Sequence, residues 1–229
     1  MSTITTEQQA AIASKLANMQ LPSGLGNEHS ACSIAAINLA LSGRLTAKIP
    51  DCMSGVIGRW IIVIQDAMPG ALRNSGRWKS LLPLAAGTGR VNEQERLDII
   101  LEWMWGTVLP SLQPLADKQG FGAQWKKMTI ERTAESARAA AEVAYTLAAE
   151  VAAEVAAEAA EADAAEADAA EWATSTAAEV AGAAAVIAAA LDRAAAWATA
   201  GATAWVHFDP CGLLERLIGI DNKTTGDSR

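Results

Sequence analysis

The sequence predicts an all-α protein, a helical core carrying a long alanine-rich antiparallel helical hairpin. Three observations predict it. Large apolar residues recur at spacings of three and four through the first 130 residues, the repeat of one helix face. Beyond residue 134 the chain turns to alanine with a four-residue beat, Ala-Ala-Glu-Val-Ala-Ala-Glu-Val, and alanine has the highest helix propensity of any residue. Proline, glycine and capping residues stand where helices of ordinary length begin and end.

The elements follow in order. Thr5 or Thr6 caps a first helix through Gln8, Ala11, Leu16 and Met19, stopped by Pro22, Gly24 and Gly26. Asn27 caps a second, with Ile34, Ile37 and Leu41 on its apolar face and Gly43 at its end. Pro50 and Asp51 open a third, apolar nearly all round from Met53 to Met68 and therefore central, with Gly55 and Gly58 giving a neighbour close approach. Residues 69–89 are turn-rich, with one short helix around Trp78 to Leu82; Gly87-Thr88-Gly89-Arg90 is a turn, since no GK[ST] follows as a phosphate loop requires. Asn92 and Glu95 have capping-box spacing, ahead of a stripe of Leu97, Ile100, Leu101, Met104 and Val108 that ends at Pro110. Pro114 and Gly120 bound a short helix or turn.

From Ala123 to at least Trp172 no residue breaks a helix, and fifty residues at 1.5 Å each span about 75 Å. Ser175-Thr176 or Gly182 ends that helix, and a second alanine-rich one through Ile187, Leu191 and Trp197 returns antiparallel. Asp209 then caps, and Pro210 starts, a final short helix with Leu213, Leu214, Leu217 and Ile218 on one face, before a polar tail from Asn222. This places a globular domain at 1–130, the acidic hairpin at 131–206, and a short helix and tail at 207–229.

Charge divides along the same line. Residues 1–130 hold 12 Lys and Arg against 9 Asp and Glu, and residues 131–229 hold 6 against 17. Nucleic-acid binding rests on neutralising phosphates, so the second part predicts no nucleic-acid partner and favours basic protein surfaces. No run of about 18 strongly apolar residues exists, so no membrane span is expected. The start lacks a basic region followed by an apolar stretch, and Cys32, Cys52 and Cys211 show no framework spacing. Both features fit a cytoplasmic chain with thiols that are free or bound to metal.

Four residue sets invite function. His29 with Cys32, and His207 with Cys211, each place an imidazole and a thiol within chelating distance along the chain, together a Cys2His2 set for zinc; the plainer reading is a small core thiol near a hydrogen-bonded histidine. Cys211 also falls in the first turn of a helix, where the macrodipole lowers a thiol pKa, the setting of a nucleophile. Glu150, Glu154, Glu158, Glu161, Asp163, Glu166, Asp168 and Glu171 form a carboxylate ladder without the histidines of a di-metal site. It reads as a solvated face or as an acidic docking surface, including one that mimics nucleic-acid charge. Trp60, Trp78, Trp103 and Trp125 read as core; Trp172, Trp197 and Trp205 fill the gap between slim helices or anchor a partner.

The segments AAEWATSTAAEVAGAAA and LDRAAAWATAGATAW, followed by DPCGLLERLIGI, resemble alanine- and tryptophan-rich helical immunity proteins of bacterial polymorphic-toxin systems and similar phage-encoded proteins. The likeness covers residues 134–220 and is mainly one of composition. It implies a protein that binds and neutralises a protein partner, and it transfers no functional residues. The expectation is thus a non-catalytic binding module, engaging a partner or a second copy of itself through Glu150, Glu154, Glu158, Glu161, Trp172 and Trp197. A zinc-binding or thiol-dependent enzyme using His29, Cys32, His207 and Cys211 is the alternative.

Overall fold

The computed structural model describes residues 4–118, 120–133, 136 and 205–224. The fold is all-α, and among these residues only two isolated bridges, Gln20 to Ser30 and Gly26 to Ala31, have β character. Among them, no helix is long and apolar enough to cross a membrane. The chain divides into two compact units, one formed by Met1–Ile100 together with Trp205–Arg229, the other by Leu101–Ala204. The C-terminal segment therefore belongs with the first hundred residues, a long-range pairing that differs from the boundaries drawn on sequence.

In the first unit, helix α1 (Thr6–Ala17) opens on a complete capping box, Thr5 Oγ1 accepting from Gln8 N while Gln8 Oε1 accepts from Thr5 N. Its buried side is Ile12, Leu16 and then Met19, whereas Ala11 faces out. The second helix, α2 (Ser33–Ser42), starts later than expected. Asn27 is spent on a turn of its own, its Oδ1 accepting from His29 N and Ser30 N, and Cys32 caps α2 instead, its Sγ accepting from Ala35 N at 3.4 Å. Gly43, at φ 68°, closes the helix in the left-handed region that glycine enters without steric cost.

Helix α3 (Gly55–Ala67) also starts late, because Pro50 to Met53 form a turn and Ser54 is the cap. It is amphipathic: Ile57, Trp60, Ile61 and Gln65 are buried, while Val63 is 40% exposed and Arg59 and Asp66 face out. The expected close approach is real at Gly58, where a Cβ would stand 2.5 Å from Ile49 Cγ2. Residues 69–89 hold two helices rather than one, α4 (Gly70–Arg73) and α5 (Gly76–Ala85), the latter capped by Ser75 and carrying Pro83 in its final turn. The Gly87–Arg90 stretch is a turn, tied down by Gly89 N donating to Cys52 O.

Helix α6 (Glu93–Trp103) carries Arg96, Ile100 and Trp103 on its buried side. Of the expected stripe, Ile100, Met104 and Val108 are buried and Leu97 and Leu101 half-buried. Helix α10 (Pro210–Thr224) packs on α5 and α3 with Cys211, Leu213, Leu214, Leu217 and Ile220 buried. It is longer than the sequence suggested and buries Ile220 more deeply than Ile218.

In the second unit a π-helical turn, Met104–Val108, leads into α7 (Leu109–Ser111), α8 (Gln113–Lys118) and α9 (Gly122–Glu131). Trp125 anchors it, fully buried, donating from Nε1 to Leu109 O at 2.7 Å and meeting Phe121 edge-on. The uninterrupted helix expected from Ala123 ends at Glu131. Arg132 takes the left-handed conformation at φ 53°, and Thr133 and Ser136 then exchange hydrogen bonds in the pattern of a new helix cap. The remainder of that helix, and the returning arm of the hairpin, lie outside the described residues.

Candidate functional site

The four His and Cys residues are all described, and all fall in the first unit. Cys32 and Cys211 are buried at 6% and 2% exposure, while His29 and His207 face solvent. Among the described residues no three His, Cys, Asp or Glu side chains stand where one ion would reach them, so the two pairs do not converge into a Cys2His2 set. The reason is local. Each thiol packs inward at a helix start, whereas His29 sits on a bend and His207 in the helical stretch 205–208, both ahead of that start and exposed.

Burial also decides the thiol chemistry. Desolvation pushes the Cys32 thiol above its ordinary pKa, outweighing the backbone amides of α2 that favour the thiolate. Cys52 is raised for the same reason. At Cys211 desolvation again dominates, with the nearby Arg77 cation opposing it. At Cys211 burial thus opposes the activation that a helix N-terminus favours, and all three cysteines are buried with their thiols pushed above the ordinary value.

Beside Cys211 the structure assembles a charged cluster that spacing along the chain did not reveal. Arg77, on α5, donates from Nε and Nη2 to the two oxygens of Glu215, both at 2.9 Å, and from Nη1 to Asp209 Oδ1 at 2.8 Å. Asp209 also accepts from Gly212 N, the cap the sequence predicted. The guanidinium holds the Glu215 carboxyl below its usual range, and the two carboxylates hold Arg77 protonated throughout. All three side chains are about half-exposed, so the cluster is a solvated tie between α5 and α10.

Two further polar assemblies, one part-buried and one buried, brace α3. Glu93 reaches back to the start of α3, its carboxylate accepting from Ser54 Oγ and from the amides of Gly55 and Val56 at 2.9–3.1 Å. Arg73 donates to the carbonyls of Leu21, Gln65 and Met68 at 2.7–2.8 Å, placing a cation at the carboxyl end of α3. With the helix dipole positive at its start and negative at its end, each charge lies where it stabilises α3. Gln65, 1% exposed, accepts from Ser33 N, and Ser33 Oγ accepts from Trp78 Nε1 at 3.1 Å.

One open groove of about 620 Å³ runs beside α1, lined by Lys15, Asn18, Met19, Glu28, His29 and Ala40 among others. Its polar side chains carry both signs of charge, and all are exposed or half-buried, so it neither focuses a field nor excludes water. No protein-family model, curated protein or solved structure matches the chain.

The predicted partner-binding residues Glu150, Glu154, Glu158, Glu161, Trp172 and Trp197 lie outside the described residues. Trp205, the last tryptophan of that group, is 7% exposed and meets Phe208 edge-on at 5.5 Å, a core contact of the first unit.

Proposed function

We propose that the chain is a non-catalytic binding protein whose acidic, alanine-rich segment engages a basic surface on a protein partner. One observation carries this reading: residues 142–179 contain ten carboxylates and no basic side chain. Such a run creates a one-signed field that accelerates encounter with cationic surfaces and repels nucleic acid. The buried thiols, pushed above their ordinary pKa, weigh against the thiol-enzyme alternative. The compositional resemblance to immunity proteins supports a partner-neutralising role, with a toxin-like protein as the partner class.

Affinity capture from the native host, wild type against a variant with Glu150, Glu154 and Glu158 changed to Gln, tests it. The proposal expects a protein partner that elutes from the wild type between low and high salt and is depleted from the variant. Equal retention of every partner by both proteins contradicts it.

A further inference from the structure

Helix α10 returns to the first unit after the whole of the second unit has intervened in the chain, while the other helices of the first unit follow one another directly in sequence. It also carries the features of a self-contained ligand. Asp209 caps it and Pro210 begins it, so its start needs no help from the preceding residues. Leu213, Leu214, Leu217 and Ile220 place its apolar side chains on one face at spacings of one, three and four, the anchor pattern of a helix lying in a groove. The receiving side offers specific handles. Arg77 grips Glu215 with two hydrogen bonds, and the fully buried Arg96 donates from Nε to Leu217 O at 3.2 Å.

We propose that the first hundred residues form a helix-binding seat, and that residues 205–224 are its separable ligand, held in cis by the chain and able to enter the same seat of a second copy in trans. The tether supplies a high effective concentration, which keeps the seat filled by its own helix; cutting it leaves a bimolecular complex governed by the contacts alone. Exchange between copies is then the low-cost route to a dimer that swapping of a terminal element provides.

The test uses the full chain with a specific protease site inserted between Ala181 and Gly182. After cleavage, the C-terminal fragment is expected to co-elute with the remainder on size exclusion, and an excess of labelled peptide covering residues 205–229 is expected to replace it over hours. A peptide carrying Leu217→Asp is expected not to enter. Arg77→Ala in the full chain is expected to weaken peptide retention by roughly fivefold at low salt, and by less at high salt, as for exposed ion pairs. Immediate loss of the cleaved fragment from the wild type overturns the proposal. So does a fragment that stays bound and never exchanges, because α10 is then an inseparable part of the core.

Discussion

Single side chains in this protein settle where helices begin and how closely they pack, and Glu93 and Gly58 show how. The Ser54 cap leaves α3 without an acidic residue in its first turn, and Glu93 supplies the missing anion from a distant part of the chain. Glu93→Ala removes three acceptor contacts and is expected to cost ~1–2 kcal/mol, the range for a lost helix cap, read as a lower denaturation midpoint at unchanged slope. Gly58→Ala forces a methyl group onto Ile49 and is expected to destabilise by ~1–3 kcal/mol as overpacking does. The partner change Ile49→Ala, which removes the three crowding carbons, is expected to recover part of that loss in a double-mutant cycle. The thiols give a third test at this scale: with Cys32, Cys52 and Cys211 buried and their pKa values raised, Ellman's reagent at pH 8 is expected to react slowly with native protein. All three should react rapidly in denaturant. Rapid labelling of Cys211 in the native protein would favour the nucleophile reading. Gly58's close approach, the Asp209 cap and the four core tryptophans were legible because each follows from local chemistry. At Cys211 the helix dipole was visible in the sequence and the desolvation that opposes it was not.

Helices were legible as elements, and their starts less so. Asn27, Pro50 and Asn92 are all good initiators by type, yet Asn27 and Pro50 each serve a tight turn ahead of the helix. Asn92 sits at φ 54°, outside the extended region of an ordinary capping residue. Spacing alone does not separate a cap from an Asx turn, since both use the same side-chain oxygen. In α6 the apolar stripe missed Arg96, a charged residue that no apolar pattern assigns to the interior and that backbone carbonyls make tolerable there. The tie between α5 and α10 predicts a pH effect. Arg77 depresses the Glu215 pKa, so its stabilisation is complete above the unfolded value near pH ~4.3 and is lost as pH falls through the lower folded one. The difference in melting temperature between wild type and Arg77→Ala is therefore expected to shrink on acidification from about pH 5 to about pH 3. Because the cluster is half-exposed, the whole effect should stay within ~1 kcal/mol and fade in high salt.

At the scale of the whole molecule, the fold class was legible from helical spacing, whereas the composition of the first unit was not. Nothing in residues 205–224 specifies that their apolar face meets α3 and α5; that partnership is a tertiary fact, written in shape rather than in period. The same holds for the His and Cys pairs, whose chain spacing permitted chelation and whose burial forbids convergence. What the sequence does state at this scale is charge, +3 over residues 1–130 and −11 over residues 131–229, each the difference of its basic and acidic counts. The central claim is that this acidic segment is the binding surface. Hydrogen–deuterium exchange of the full chain, free and with a partner captured by the wild type, measures it directly. Slowed exchange concentrated in residues 142–179 is the predicted result; protection confined to α1, α2 and the groove beside them, with 142–179 unchanged, would contradict it.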